Sequence, residues 1–252
     1  MNRTGCSRRG ALALALALVL AACGGGGDAA DGGAIVPPPT SLAPVIAPGE
    51  WVVLGSSTAA GVGASPGQGW VALLATEMAP RQVTVHNLAR AGALTYQALP
   101  TGTVPPPGRP APDPAINVDR ALSHAPRLLL LAFPTNDAVA GYSADETLAN
   151  LALLRQRAQA QGAAAMLLST QPRDGLTPAQ RDALDETDRR GATLFGPCFV
   201  DLRPALLGTD GRLLAAYAAG DGIHLNDTGH GVLHAQVSAA LASGRCVRLA
   251  AG

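Results

Sequence analysis

Five short apolar runs are spaced along the chain, at residues 51–54, 83–86, 128–133, 165–169 and 199–202. The middle runs are apolar throughout rather than alternating, which is typical of strands that are buried on both faces. Longer segments between the runs carry apolar residues three or four positions apart, as amphipathic helices do. The alternation of strands and helices predicts an α/β domain with a central, mainly parallel sheet of five strands.

Start and stop signals locate the predicted helices. Residues 70–78 form an apolar segment with a polar flank, and two capping boxes, S-x-x-E from Ser143 and T-x-x-Q from Thr177, open further helices. We expect Gly191 to end the helix that begins at Thr177, because glycine is common just past a helix C-terminus. The last helix is predicted to follow Asn226.

The first 22 residues are predicted to be a secretion signal rather than part of the fold. Three arginines precede an apolar stretch at 11–20, and small residues follow it. The sequence L-A-A-C at 20–23 resembles the lipobox of bacterial lipoproteins, in which cleavage leaves the cysteine lipidated. A plain signal peptide and a transmembrane anchor are the alternatives, although spanning a bilayer takes about 20 apolar residues. We therefore expect a bacterial cell-envelope protein that is attached to a membrane through lipid on Cys23.

Composition divides the remainder of the chain. Residues 23–48 are rich in glycine, alanine and proline and have no periodicity, so we interpret them as a flexible tether. Residues 49–252 are long enough to form one domain with a complete core. Within that domain, residues 99–119 carry seven prolines and are predicted to form a surface loop, either a lid over a site or a tolerated insertion.

Charge and lysine content exclude several classes of protein. Removal of the signal would leave 15 arginines against 18 aspartates and glutamates, a net charge of −3. No basic patch then remains to bind nucleic acid, so we expect no nucleic-acid partner. The chain contains no lysine, which excludes a phosphate-loop lysine, a Schiff base and a Ser-Lys dyad.

The cysteines leave one pair to consider. Cys6 lies in the signal and Cys23 is the predicted lipidation site, so Cys198 and Cys246 remain. An even pair in an exported chain favours a disulfide, and two buried free thiols are the alternative.

Residues of complementary chemistry follow the predicted strands. Ser57 comes just after the first strand, Asn136 after the third, and Asp221 and His224 lie in the loop before the last helix. The carboxyl ends of parallel strands meet at one edge of a sheet, so we expect these side chains to converge. Serine becomes a nucleophile when a base removes its proton, and a histidine with a carboxylate three residues earlier suits that task. The Ser57 and Gly92 N–H groups and the Asn136 amide are the predicted oxyanion donors.

Most of these assignments have a competing interpretation. Asp201, at the end of the fifth predicted strand, could orient the histidine instead. Ser57 could cap a helix, and Asn136 could close a turn. Ser65 lies in a G-x-S-x-G sequence, but no strand precedes it and a proline follows it, so we do not expect it to be the nucleophile.

Four sequence blocks resemble those of the SGNH (GDSL-type) hydrolase superfamily, across about residues 51–241. They are the serine block Gly55-Ser56-Ser57, the glycine block N-L-A-R-A-G that ends at Gly92, the asparagine block Thr135-Asn136-Asp137 and the histidine block Asp221-Gly222-Ile223-His224. The resemblance implies a three-layer α/β/α flavodoxin-like fold and ester hydrolysis through an acyl-serine, without metal or cofactor. Two positions differ from the family pattern, with Ser56 in place of aspartate and Pro134 in place of glycine.

The residues and the resemblance together predict a serine esterase that acts on a small ester substrate. Its catalytic residues would be Ser57, Asp221 and His224, and its oxyanion hole would consist of Ser57, Gly92 and Asn136. Short-acyl or acetyl esters of carbohydrate or lipid are the expected substrates, and we expect a monomer. The competing hypothesis is a non-catalytic SGNH-like envelope lipoprotein that binds glycan or lipid.

Overall fold

The computed structural model describes residues 43–133 and 135–250. The strands of these residues, numbered in chain order, are β1 (Val45–Ile46), β2 (Gly49–Gly55), β3 (Val83–Asn87), β4 (Leu128–Ala132), β5 (Ala164–Leu168), β6 (Phe199–Val200) and β7 (Arg248–Leu249). Five of them form a parallel sheet in the order β3-β2-β4-β5-β6. The predicted five-stranded parallel sheet is confirmed. Each predicted apolar run overlaps one of its strands, although β6 ends at Val200 and not at residue 202.

Helices connect these strands. They are α1 (Ser57–Ala60), α2 (Trp70–Met78), α3 (Thr95–Ala98), α4 (Val118–Leu122), α5 (Asn136–Val139), α6 (Ala144–Ala160), α7 (Pro178–Phe195), α8 (Arg203–Leu206) and α9 (Asp227–Ala242). Helix α2 has the predicted bounds, and α4 begins inside the predicted proline-rich loop.

Side-chain alternation along the strands builds two apolar layers. Trp51 and Val53 of β2 belong to the layer that packs against α2 and α9, whereas Val52 and Leu54 belong to the layer that packs against α3, α4 and α6. The same alternation continues in β4, whose five residues are all buried. Because both faces of the sheet are covered, the fold has the three α/β/α layers that were predicted.

The predicted helix starts are confirmed, but one predicted stop is wrong. Ser143 and Thr177 form reciprocal capping boxes, and the Asn226 side chain accepts a hydrogen bond from the Gly229 N–H. Gly191 does not end α7, which continues to Phe195. A Cβ on Gly191 would lie 2.7 Å from the ring of Phe199, so this glycine allows close packing within the helix rather than terminating it.

A small second sheet joins the two ends of the described chain. Strand β1 pairs in parallel with β7, and a disulfide links Cys198 to Cys246, which lies two residues before β7. The predicted tether at 23–48 therefore overlaps ordered structure in its last residues, because β1 pairs with a strand 203 positions later. The predicted signal at 1–22, Cys23 and the tether up to residue 42 lie outside the described residues. Within the described residues, none of the helices has both the length and the apolar character needed to cross a bilayer.

Candidate active site

Ser57 lies at the carboxyl end of β2, where it is the first residue of α1. The turn into α1 is tight, since a Cβ on Gly55 would lie 2.5 Å from the Ala132 carbonyl oxygen of β4. The preceding Ser56 is 1% exposed, and its hydroxyl has no hydrogen-bond partner among the described residues. The first N–H groups of a helix have no partner within it, so those of α1 are available beside the Ser57 side chain.

His224 is paired with Asp221. Its Nδ1 lies 2.6 Å from Asp221 Oδ2, and Asp221 Oδ1 accepts hydrogen bonds from the N–H groups of His224 and Ile223 at 2.8 and 2.9 Å. Hydrogen bonds from the His224 backbone and ring lower the pKa of Asp221 to about 2. An ionised carboxylate on Nδ1 selects the tautomer that has its proton there and leaves Nε2 able to accept a proton.

The competing carboxylate, Asp201, has a different role. Its Oδ1 accepts a hydrogen bond from the Arg203 N–H at 3.3 Å, just before α8. The carboxylate on the His224 ring is therefore Asp221, which reaches it within a single turn of chain.

The Ser57 hydroxyl and the His224 ring are brought to the same edge of the sheet but form no hydrogen bond with each other in the part of the chain that the structure describes. Their two segments are in contact, since a Cβ on Gly63, in the loop after α1, would lie 3.1 Å from His224 Cβ. Buried Gln171 also joins them: the Thr58 hydroxyl donates to its Oε1 at 2.9 Å, and its Nε2 donates to the Ile223 carbonyl at 2.8 Å.

Gly92 and Asn136 lie on neighbouring segments at this edge. Gly92 has a φ of +79° in a turn closed by the Ala93 N–H and the Arg90 carbonyl, and a Cβ there would meet no atom within 4 Å. Asn136 begins α5, and its Nδ2 donates to the Ala93 carbonyl at 3.1 Å. One N–H of the Asn136 amide is thereby engaged, and the other has no partner among the described residues.

Two residues that stabilise the site segments were not predicted from the sequence. Asn87, at the end of β3, donates from Nδ2 to the Ala59 carbonyl at 2.7 Å and so ties the glycine block to α1. Asp137 is buried and accepts hydrogen bonds from the N–H and hydroxyl of Thr95 and from the Thr147 hydroxyl. Burial raises the pKa of Asp137, and these hydrogen bonds oppose the shift. Both residues lie inside the sequence blocks, which is the signal that could have identified them.

The loop after β5 was also missed. It carries Gln171, and its Arg173 directs Nη1 to the Thr135 hydroxyl and Asn136 Oδ1, at 3.4 and 3.5 Å. These long contacts place a guanidinium beside the asparagine block. No sequence motif marks this loop, so only its position after a strand could have drawn attention to it.

The other histidines and the G-x-S-x-G serine lie in different surroundings. Ser65 is in an exposed loop, and its N–H donates to Asp227 Oδ1 at 2.6 Å. His230 is fully buried between the Trp70 N–H and the Val62 carbonyl, and burial lowers its pKa. Side-chain partners elsewhere include Glu50 for His86 and Glu77 for His234.

Ion pairs help to hold the proline-rich segment against the domain. Arg109 forms a bidentate pair with Glu146, both contacts being 2.8 Å, and its guanidinium lies 4.1 Å from the centre of the Tyr142 ring. Asp113 pairs with Arg90 of the glycine block at 2.5 Å. The segment therefore packs beside the turn that carries Gly92.

A five-stranded parallel sheet in the order β3-β2-β4-β5-β6, covered by helices on both faces, is the three-layer α/β/α fold of the SGNH hydrolases. A family model described as the GDSL-like lipase/acylhydrolase family matches residues 53–232. The chain belongs to that family. No curated protein matches the sequence.

Solved structures share the fold. TesA superposes with a TM-score of 0.59 at 23% identity, over 77% of this chain and 99% of that one. The psychrotrophic esterase EstA from Pseudoalteromonas sp., inhibited by monoethylphosphonate, gives a TM-score of 0.56 at 16% identity over 77% and 97%. A two-domain esterase (CEX) active on acetylated mannans gives 0.55 at 17% identity, over 79% of this chain and 50% of that one.

Proposed function

We propose that this GDSL-family hydrolase is a serine esterase that cleaves carboxylic esters through an acyl-serine intermediate. The observation that carries the proposal is the Asp221–His224 pair, whose segment is joined through Gln171 to the residue after Ser57. His86 and His234 also pair with carboxylates, but through Nε2, whereas Asp221 binds His224 through Nδ1 and leaves Nε2 free of the carboxylate.

In the proposed mechanism, the Ser57 hydroxyl attacks the ester carbonyl while His224 Nε2 accepts the hydroxyl proton. Asp221 holds the ring and stabilises the imidazolium that forms. The negative charge on the carbonyl oxygen is taken up by the N–H groups of Ser57 and Gly92 and by the Asn136 amide. His224 then returns its proton to the leaving alcohol, and a water molecule, activated in the same way, hydrolyses the acyl-serine.

Short-acyl or acetyl esters of carbohydrate or lipid are the substrates that we propose. Structural neighbours with esterase activity, one of them on acetylated mannans, support this class. The site edge is accessible to an ester substrate, because a Cβ on Gly92 would meet no atom within 4 Å and Asp221 is exposed. We further propose that lipid on Cys23 attaches the protein to a membrane of the bacterial envelope.

The test is hydrolysis of p-nitrophenyl acetate by the wild type, Ser57→Ala and Ser65→Ala. We expect Ser57→Ala to lower kcat at least about 10³-fold, because a catalytic serine and its base act as one unit. Ser65→Ala is the matched control and should keep the wild-type rate. Turnover by Ser57→Ala at the wild-type rate, with the enzyme folded, would refute the proposal. A folded wild type without turnover on acyl esters of any length would favour the binding protein instead.

A further inference from the structure

The loop that follows β5 contacts three of the segments that carry the candidate site. Gln171, which is 2% exposed, bonds the Thr58 hydroxyl and the Ile223 carbonyl. Asp174 donates its N–H to the Gly222 carbonyl at 2.7 Å. Arg173 reaches Asn136, as described above. One short stretch of chain therefore adjoins the serine, histidine and asparagine blocks together.

Gln171 is the residue of this loop that bonds to both the serine segment and the histidine segment. Its two partners are the immediate neighbours of Ser57 and His224, and they are 113 and 52 residues away from it along the chain. A glutamine amide can accept from a hydroxyl at one end and donate to a carbonyl at the other, which a carboxylate or an apolar side chain cannot do. Since Gln171 is buried, water does not compete for either bond, and loss of the amide would leave two polar partners unsatisfied.

The positions of the Ser57 and His224 side chains relative to each other have to be fixed by contacts between their backbone segments. Their side chains form no hydrogen bond with each other among the described residues, so their relative position depends on how the two backbone segments are held. Errors of about 1 Å in the placement of reacting groups can cost about 100-fold in rate. Packing of the Asp174 side chain against Gly222, where a Cβ would lie 2.9 Å from Asp174 Cβ, holds the same segment from the other side.

We propose that Gln171 is a positioning residue, which acts by setting the distance between the Ser57 hydroxyl and the His224 ring. This role rests on the proposed function. Gln171 touches neither substrate nor the reacting atoms, so its loss slows the chemical step and leaves substrate binding largely intact. The signature is a fall in kcat with little change in KM.

The first test compares Gln171→Met with Gln180→Met, using p-nitrophenyl acetate well below the Tm of each variant. Gln180 is a matched control because its amide also bridges two segments, accepting from the Thr177 N–H and donating to the Val139 carbonyl. We expect Gln171→Met to lower kcat roughly 10- to 100-fold with KM within about twofold of wild type. Gln180→Met should leave both parameters within about twofold.

The second test uses Gln171→Glu, which keeps the side-chain size. A protonated glutamic acid can still donate to the Ile223 carbonyl, whereas a carboxylate cannot. We expect kcat of this variant to fall as pH rises through the pKa of the introduced carboxyl, a limb that is absent from the wild-type profile. A role limited to fold stability would lower Tm without adding that limb.

The outcomes separate the two proposals. Wild-type kcat in Gln171→Met and a wild-type pH profile in Gln171→Glu, with Ser57→Ala inactive, would overturn the positioning role and leave the esterase intact. A wild type whose turnover does not depend on Ser57 would overturn the esterase and this role with it.

Discussion

Two clusters of serine, histidine and carboxylate side chains among the described residues differ in which of their members bond to each other. The site cluster consists of Ser57, His224 and Asp221. The helix cluster consists of Glu77 on α2 with His234 and Ser238 on α9, where the His234 Nε2 and the Ser238 hydroxyl both contact Glu77 Oε2, at 2.7 and 2.5 Å. Both clusters therefore contain all three residue types.

The difference lies in what the carboxylate binds. In the helix cluster the serine hydroxyl hydrogen-bonds the carboxylate, and the histidine binds the same oxygen, so no base faces the serine. In the site cluster both Asp221 oxygens are engaged by the Ile223–His224 turn, which orients the ring and leaves Nε2 free of the carboxylate. The comparison teaches that the same three residue types can be bonded in different ways, and that in the site cluster the carboxylate orients the histidine ring instead of binding the serine.

The largest contrast is expected from removing each carboxylate charge. Asp221→Asn should lower kcat roughly 10³- to 10⁴-fold, because the amide favours the wrong histidine tautomer. Glu77→Gln, the matched substitution in the helix cluster, should change kcat less than about twofold, since surface ion pairs contribute little. Steady-state hydrolysis of p-nitrophenyl acetate measures both. Equal losses in the two variants would erase the distinction between the clusters.

A smaller effect should follow removal of the oxyanion donor. Asn136→Ala should lower kcat about 10²- to 10³-fold, because the donor is aimed at charge that develops in the transition state. Ser238→Ala in the helix cluster should leave kcat unchanged. Single-turnover kinetics, with Tm recorded for each variant, separate this effect from misfolding. A loss below about tenfold in Asn136→Ala would move the third donor elsewhere.

The smallest effect concerns stability at acid pH. The pKa of Asp221 is about 2 in the fold, below the roughly 3.9 of an unfolded aspartate. Its stabilising contribution is therefore complete above about pH 4 and is lost as pH falls towards 2. Urea unfolding of the wild type and Asp221→Asn should give a stability difference that shrinks between pH 4 and 2. A difference that stays the same down to pH 2 would contradict the assignment.

Local sequence signals were sufficient for most of the fold. Buried parallel strands are continuous apolar runs, and the capping boxes at Ser143 and Thr177 act within four residues, so both can be identified without tertiary information. The prediction that Gly191 ends its helix was wrong because the role of this glycine is set by the ring of Phe199, which approaches the helix only in the folded protein. The β1–β7 pairing involves two residues per strand, too short a pattern to predict.

Part of the candidate site could likewise be predicted from local sequence, and part depends on tertiary contacts. The sequence predicts that Ser57, Asn136 and His224 lie at one edge of the sheet. Each follows a strand or precedes a helix, and each lies in one of the sequence blocks that resemble the family. Asp221 could be preferred over Asp201 from the sequence, because it lies three residues before His224. The structure adds the contact of Asp221 with His224 Nδ1 and gives Asp201 the Arg203 N–H as its partner. Gln171 could not be predicted, since its function depends on two partners that become neighbours only through the sheet.

Reaction of the protein with a fluorophosphonate probe, followed by mass mapping of the adduct, tests the central claim most directly. The account predicts one adduct, on Ser57, that is lost in Ser57→Ala, slowed in Asp221→Asn and unaffected in Ser65→Ala and Ser238→Ala. An adduct on a different serine, or none on the folded wild type, would contradict it.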